Sequence, residues 1–241
     1  MKPKNESATT AMRDPRYERK FLVRGIDVFS LRKMICLSEG VFIERYHART
    51  VNNIYFDGPD FELYSSSVRG YPVRKKIRIR WYGSTEGEIA GAVLEVKSKS
   101  GATNSKNSYP LGPLTITKGC DLTHQIEAAF LMAGLPEPLF SELKALRPVM
   151  LNTYRRTYYE SASYGVRLTL DNDLKFYGIN GNANMFLRRT AEPEISVIEL
   201  KYKPESEGVV SRMTSRFPFR LTKCSKYVMG INRVYLFSDL A

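Results

Sequence analysis

The chain has 241 residues, of which 43% are hydrophobic, and a formal net charge of +12. This length and composition suffice for one domain with a substantial core, and the positive charge indicates an acidic partner such as nucleic acid, an anionic membrane or a phosphorylated small molecule. Three cysteines far apart in sequence argue against a disulfide framework, and two histidines leave little for a histidine metal site or a Ser-His-Asp triad.

Residues 1–15 are rich in polar side chains and are predicted to be a disordered leader, followed by one domain over residues 16–241. The leader has no apolar segment typical of a signal peptide. No run of about 18 apolar residues occurs in the chain, so no membrane span is expected. These features predict a cytoplasmic, reducing location.

The first half of the domain is predicted to alternate strands with short helices. Residues 26–37 place Val28, Leu31 and Ile35 at helical spacing, and Gly40 ends this helix. In chain order, the predicted elements are a strand at 17–23, this helix, a strand at 50–57, a helical turn at 61–65 and a strand at 75–82, which a turn at 83–91 joins to a strand at 93–99.

The second half begins with a polar stretch, residues 98–113, which is predicted to be a mobile loop carrying Lys106. Asp121 or Thr123 can cap a helix that ends at Gly134. The remaining predicted elements are a helical turn at 141–146, a hairpin of strands at 153–158 and 166–171, a loop or short hairpin at 176–189, a strand at 198–203 and helices at 205–216 and 223–237.

The predicted strand at 75–82 has one cationic and one apolar face. Successive side chains of a strand point to opposite faces, so Lys76, Arg78 and Arg80 lie together and Ile77 lies opposite them. Like charges about 7 Å apart repel one another unless anions lie among them. Other predicted strands supply such anions on equally polar faces: Glu95 beside Lys97, Asp171 beside Arg167, and Glu199 beside Lys201.

Strands joined by hairpins or short helices favour an antiparallel sheet. Their polar faces are too charged for a conventional core, which favours a closed barrel with a polar lumen. The predicted fold class is therefore α+β: a closed antiparallel β-barrel tunnel of about eight strands, with a charged lumen and amphipathic helices packed outside. A barrel of this size can hold one extended ligand, here a polyanion.

Seven segments carry a family resemblance and occur in that family's order: 17–21, 76–82, 94–97, 154–156, 166–171, 198–201 and 225–227. They resemble the polyphosphate polymerase domain of the vacuolar transporter chaperone (VTC) family, which belongs to the triphosphate tunnel metalloenzymes and is related to the CYTH hydrolases. The resemblance covers residues 16–236.

The resemblance implies a metal-dependent enzyme that transfers the γ-phosphoryl group of ATP onto a growing polyphosphate chain and releases ADP. ATP and inorganic polyphosphate would be its partners, with no nucleic acid expected, and Mn²⁺ or Mg²⁺ its cofactor, with Glu199 as the metal ligand. The residues implied to act in catalysis and to hold phosphates are Lys20, Arg78, Arg80, Lys97, Arg156 and Arg167. Lys106, Tyr154, Lys223, Ser225 and Lys226 are implied to be further phosphate ligands.

Two other functions stay open at this point. One is a tunnel-type triphosphatase that hydrolyses ATP or tripolyphosphate. The related hydrolases that the chain resembles carry a Glu-x-Glu-x-Lys pattern on the first strand, whereas this chain has Arg16, Glu18 and Lys20 at those positions. One carboxylate fewer favours the polymerase. The other is a non-catalytic module that binds polyphosphate or nucleic acid, although carboxylates placed regularly among the cations would repel a nucleic-acid backbone. Glu199 could instead be an ion-pair partner, and Ser225 a helix cap.

Overall fold

The computed structural model describes residues 16–101, 103–117, 119–179 and 189–236. The predicted leader and most of the predicted loop at 176–189 lie outside the described residues. The strands are β1 (Tyr17–Arg24), β2 (Phe42–Asp57), β3 (Val73–Tyr82), β4 (Gly87–Ile89), β5 (Val93–Ser100), β6 (Thr103–Pro110), β7 (Leu114–Ile116), β8 (Arg147–Ser161), β9 (Arg167–Gly178), β10 (Arg189–Glu192) and β11 (Ile195–Tyr202). The helices are α1 (Val28–Cys36), α2 (Glu62–Val68), α3 (Leu122–Met132), α4 (Glu137–Lys144), α5 (Glu207–Ser215) and α6 (Lys226–Tyr235), with a 3₁₀ turn at Pro204–Ser206.

One large antiparallel sheet dominates the fold. Its strand order is β1-β11-β9-β8-β2-β3-β5-β6, and β10 adds to β9, while β4 and β7 form a separate two-stranded sheet. The sheet is strongly curled. This is evident from a hydrogen bond of 2.9 Å that Lys76 on β3 donates to Ser225, which lies beside the far edge strand β1. The predicted antiparallel sheet of about eight strands is confirmed.

The predicted closure of the barrel is not observed, since no ladder joins β1 to β6 in the described residues. The free edge of β1 is occupied by the segment that leads into α6. Phe21 forms a bridge with Leu221, and the backbone N–H of Thr222 donates to the carbonyl of Lys20 at 2.9 Å. The described sheet is therefore a half-barrel with a concave and a convex face.

Two apolar clusters cover the convex face. Ile77, Ile79 and Trp81 are fully buried in the first of them, on the opposite side of β3 from its cations, together with residues of α3 and α4. The second lies where α1 and α5 pack on β1, β9 and β11. The alternation in the sequence thus assigned the faces of β3 correctly, because each apolar side chain is removed from water there.

Helix α6 lies on the concave face rather than outside the sheet as predicted. Its apolar residues Tyr227 and Ile231 pack against Tyr55 of β2 and Phe176 of β9. Tyr55 and Tyr227 stack with ring centroids 4.9 Å apart. The helix closes one end of the concave face and brings its N-terminus to the charged side chains.

An irregularity in β9 makes room for this helix. Asp173 adopts a left-handed conformation (φ 54°), close to a register shift in the β8–β9 pairing. The bulge inserts one extra residue, so the even-numbered side chains after it point to the face that the odd-numbered ones occupied before it. Leu174 and Phe176 therefore lie on the concave face with Asp171. An apolar floor for α6 results.

The prediction of a mobile loop at 98–113 is wrong for most of this segment. Strand β6 occupies Thr103–Pro110 and pairs with β5, with Lys106 opposite Lys97. Backbone hydrogen bonds specify this edge strand, whose side chains are mostly exposed and show no apolar alternation.

Among the described residues, no helix is both long and apolar enough to cross a membrane.

Candidate functional site

A cavity of about 270 Å³ lies on the concave face between the sheet and the N-terminus of α6. Eight lysine and arginine side chains line it, against two glutamates. The lining residues are Glu18, Lys20, Tyr55, Lys76, Arg78, Arg80, Lys97, Tyr154, Arg156, Val197, Glu199, Lys201, Cys224, Ser225 and Lys226.

Glu95 organises the cations on one wall. Its carboxylate accepts two hydrogen bonds from Arg78, of 2.8 and 2.6 Å, and forms an ion pair with Lys106 at 2.5 Å. Arg80 lies 3.8 Å away and donates to Asn53 at 2.9 Å. Although burial opposes ionisation, Arg78 and Arg80 hold the pKa of Glu95 below its usual range. The carboxylate is therefore an anion that fixes the guanidinium groups beside the cavity.

Asp171 performs the same task on the opposite wall. It is fully buried and binds Arg156 through two hydrogen bonds of 2.6 and 2.7 Å and Lys226 through an ion pair of 2.5 Å. Burial opposes its ionisation, but Lys226 and Arg156 lower its pKa. The ring of Tyr154 lies against both cations, at 5.3 Å from the guanidinium carbon and 4.8 Å from the ammonium nitrogen. Despite burial, Arg156 lowers the pKa of the Tyr154 hydroxyl.

The cavity-facing carboxylates lie on β1 and β11. Glu199 pairs with Lys201 at 2.5 Å and with Lys20 at 3.8 Å, and Lys20 also forms an ion pair with Glu18. Burial opposes ionisation of Glu199, but Lys20, Lys201 and Arg156 hold its pKa below the usual range. Two carboxylates thus share one lysine at the edge of the cavity.

Lys76 and Lys97 differ from these cations, because no carboxylate in the described part of the chain forms an ion pair with either. Burial and the neighbouring Lys20, Arg74 and Arg78 lower the pKa of Lys76 to about 8. Burial, Arg78 and Lys201 lower the pKa of Lys97 to about 7. These two ammonium groups destabilise the empty cavity and would gain a partner from a bound anion.

Nine of the twelve residues that the resemblance singled out line the cavity: Lys20, Arg78, Arg80, Lys97, Tyr154, Arg156, Glu199, Ser225 and Lys226. Lys106 stands behind this lining as a partner of Glu95. Arg167 and Lys223 are exposed and do not line the cavity. Ser225 is the N-cap of α6, and its hydroxyl accepts hydrogen bonds from Lys76 and from the backbone N–H of Val228.

The resemblance assigned no role to Lys76, Lys201, Tyr55 or Cys224, which also line the cavity. The alternation of β3, β11 and β2 does place the first three on the polar faces of their strands. Nothing in the sequence pattern identifies Cys224, whose thiol lies here because the segment before α6 follows the edge of β1. Burial raises the pKa of this thiol.

Comparison with known proteins identifies one family. The family model described as the VTC domain matches residues 15–235, and no curated protein matches the chain. Among solved structures, a candidate adenylate cyclase from Bacillus halodurans is 16% identical, with a TM-score of 0.52, 90% of this chain and 96% of that chain covered. A candidate adenylate cyclase from Vibrio parahaemolyticus is 12% identical, with a TM-score of 0.46 and coverage of 88% and 95%. The Bacillus halodurans structure shares the fold of this chain.

Proposed function

The chain belongs to the VTC domain family, and from this premise we propose that it is a polyphosphate polymerase, which transfers the γ-phosphoryl group of ATP onto a polyphosphate chain and releases ADP. The finer features of the proposal are ATP as the phosphoryl donor and a divalent metal as the cofactor.

The observation that carries the proposal is the excess of cations in one cavity on the concave face. Eight lysines and arginines from β1, β3, β5, β8, β11 and α6 converge there against two lining glutamates. Two more carboxylates, Glu95 and Asp171, are buried behind the lining and paired with its cations. Such an excess is costly in an empty cavity and is stabilised when a polyanion occupies it.

The cation types suit phosphoryl transfer. The reaction needs little covalent chemistry from a protein and depends on aligning the donor and acceptor phosphates and stabilising their charge. Arg78 and Arg156, held on their carboxylates, can present fixed N–H donors to phosphate oxygens. Lys76 and Lys97 supply mobile charges without competing carboxylates, and Tyr154 adds a hydroxyl donor.

The residues at the edge of the cavity fit a divalent metal held jointly with the substrate. Glu199 and Glu18 both approach Lys20, and no group of three His, Cys, Asp or Glu side chains suited to a metal occurs in the described residues. Mg²⁺ is commonly held by one or two carboxylates together with substrate phosphates. Glu199, with Glu18 beside it, would hold the ion in this proposal. A bound Mn²⁺ or Mg²⁺ would neutralise charge that develops on the leaving ADP.

The test is to incubate the purified chain with ATP and Mn²⁺, to resolve the products by length, and to assay ADP and orthophosphate separately. ADP together with a ladder of long anionic polymer is expected. Orthophosphate without polymer would identify a triphosphatase, and tripolyphosphate binding without turnover would identify a binding module; either result contradicts the proposal.

A pair of variants links the activity to the cavity. Arg78→Ala with Arg80→Ala should abolish polymer formation and weaken tripolyphosphate binding. Arg155→Ala is the control, because this arginine is exposed and its side chain points away from the neighbouring Arg156 and the cavity. Equal loss in both variants would assign the effect to overall charge.

A further inference from the structure

Arg49 lies at the end of the concave face, where three tyrosine rings surround its guanidinium group. The guanidinium carbon is 5.9 Å from the ring centroid of Tyr46, 5.2 Å from that of Tyr82 and 5.1 Å from that of Tyr158. Tyr46 and Tyr158 also meet edge to face, with centroids 6.1 Å apart. The cluster is open to solvent, since Tyr46 is 63% and Tyr82 47% exposed.

This cluster continues the charged rows of the cavity. Arg49 is the direct cross-strand partner of Arg156 in the β2–β8 ladder. Tyr82 follows Arg80 by two residues on β3, and Tyr158 follows Arg156 by two residues on β8, so each ring shares a face with a cavity arginine. A phosphate chain that extended beyond Arg80 and Arg156 would meet the cluster next.

Arg49 has no anionic partner in the described residues, in contrast to Arg78 and Arg156. Glu44 lines a cavity together with Arg49 but forms no ion pair with it among the described residues, and the Arg45 of that cavity binds Glu160 at 2.9 Å. Aromatic rings attract a guanidinium through their faces and leave its N–H donors, which lie in its own plane, free to bind a phosphate. The rings therefore hold Arg49 in place without neutralising it.

We propose that Arg49, with Tyr46, Tyr82 and Tyr158, forms a second phosphate subsite that binds the polyphosphate chain where it emerges from the cavity. The inference rests on the proposed function, because it requires that the cavity itself binds the adjoining phosphates. Phosphate suits the cluster better than a nucleobase does, since Arg49 already lies against the ring faces on which a base would stack.

The experiment measures equilibrium binding of tripolyphosphate, of ATP and of a long-chain polyphosphate to the full chain, without metal so that no turnover occurs. Arg49→Gln should weaken binding of the long chain roughly fivefold and leave tripolyphosphate and ATP binding unchanged. The salt dependence of long-chain binding should also become less steep. Arg155→Gln, which removes the same charge from the other face of the sheet, should change each affinity by less than about twofold.

Three results would overturn the inference. Unchanged long-chain affinity in Arg49→Gln would remove the subsite, and weaker ATP binding with unchanged tripolyphosphate binding would assign the cluster to the nucleobase. Long-chain binding by Arg49→Lys equal to that of the wild type would show that the positive charge alone matters, and not the guanidinium group held by the tyrosine rings. Equal melting temperatures establish that the variants are folded. Failure of the proposed function would be distinct, because Arg78→Ala with Arg80→Ala would then leave tripolyphosphate binding intact.

Discussion

Lys76 on β3 and Lys97 on β5 are direct cross-strand partners, and both side chains line the cavity. Lys106 on β6 continues the same row opposite Lys97, but its charge is taken up by Glu95. Like charges in direct opposition are unfavourable in a sheet. The first two lysines are therefore the groups whose protonation should respond most to a bound polyanion.

Binding of tripolyphosphate should draw a proton onto Lys76. Its pKa is about 8 and that of Lys97 about 7 in the empty cavity. Phosphates would raise both pKa values, so at pH 8 Lys76 should take up about half a proton and Lys97 most of another. Because these uptakes together exceed one proton, affinity should fall by more than about tenfold per pH unit near pH 8. Calorimetric titration in buffers of different ionisation enthalpy measures this uptake, which should decrease in Lys76→Met. Lys99→Met, outside the cavity lining on β5, is the control. An undiminished uptake in Lys76→Met would contradict the assignment.

The same lysine should make the stability of the empty protein depend on pH. The pKa of Lys76 is lowered to about 8 from the model-peptide value of 10.5, so between these values the unfolded chain binds more protons. Stability then rises with pH through this window. The Lys76→Met variant loses this contribution and keeps that of Lys97, whose pKa is lowered to about 7. Its advantage in melting temperature over the wild type should be largest at pH 7 and shrink towards pH 10. A constant difference would mean that Lys76 titrates normally.

Replacement of Glu199 by Gln should separate turnover from binding. Loss of the proposed metal ligand should reduce metal-dependent turnover by at least about 100-fold. Polyphosphate binding should persist, because the change removes a negative charge from a site that binds anions. Metal affinity in the presence of tripolyphosphate provides a readout independent of activity. Glu142→Gln is the matched control, since Glu142 forms an ion pair with Lys75 and does not line the cavity. Unchanged metal affinity in Glu199→Gln would exclude the role.

Much of the sheet could be predicted from the sequence because the apolar faces of its strands are buried. Ile77, Ile79 and Trp81 are examples, and the cations between them were correctly placed on one face. The polar strand β6 could not be recognised in this way, since backbone pairing with β5 specifies it. The predicted strand at 50–57 likewise omitted the first half of β2, and Arg49 with it.

Two further features depend on the chain's path through space. The bulge at Asp173 places Leu174 and Phe176 beneath α6, and a strict alternation would have assigned them to the other face. The pairing of residues 221 and 222 with β1 likewise joins segments 200 residues apart. Neither leaves a local signal in the sequence, and together they determine where the N-terminus of α6 meets the cavity.

Removing Arg78 should cost stability as well as affinity, and the two effects can be separated through Glu95. Glu95 is only 5% exposed and receives two hydrogen bonds from this arginine. Since Lys106 and Arg80 still face Glu95 in the variant, Arg78→Met should destabilise the protein by about 1 to 3 kcal/mol. Adding Glu95→Gln should restore part of that loss in chemical denaturation. The double variant should still bind tripolyphosphate at least about tenfold more weakly than Glu95→Gln alone. Recovery of both properties would make Arg78 a purely structural residue.

Gly230 in α6 should be necessary for the position of Ser225 and Lys226. A β-carbon at this glycine would lie 2.1 Å from the sulfur of Met150 and 2.5 Å from a ring carbon of Phe176. Gly230→Ala should therefore push α6 away from the sheet and cost about 1 to 3 kcal/mol. Because Lys226 would move away from Asp171, tripolyphosphate affinity should fall as well. Gly208→Ala in α5 is the matched control. Apart from its chain neighbours and the backbone of its own helix, no atom of the described residues lies within 4 Å of the added methyl group, and the higher helix propensity of alanine should stabilise the protein by up to about 1 kcal/mol. Wild-type affinity in a destabilised Gly230→Ala would show that binding does not depend on how closely α6 packs.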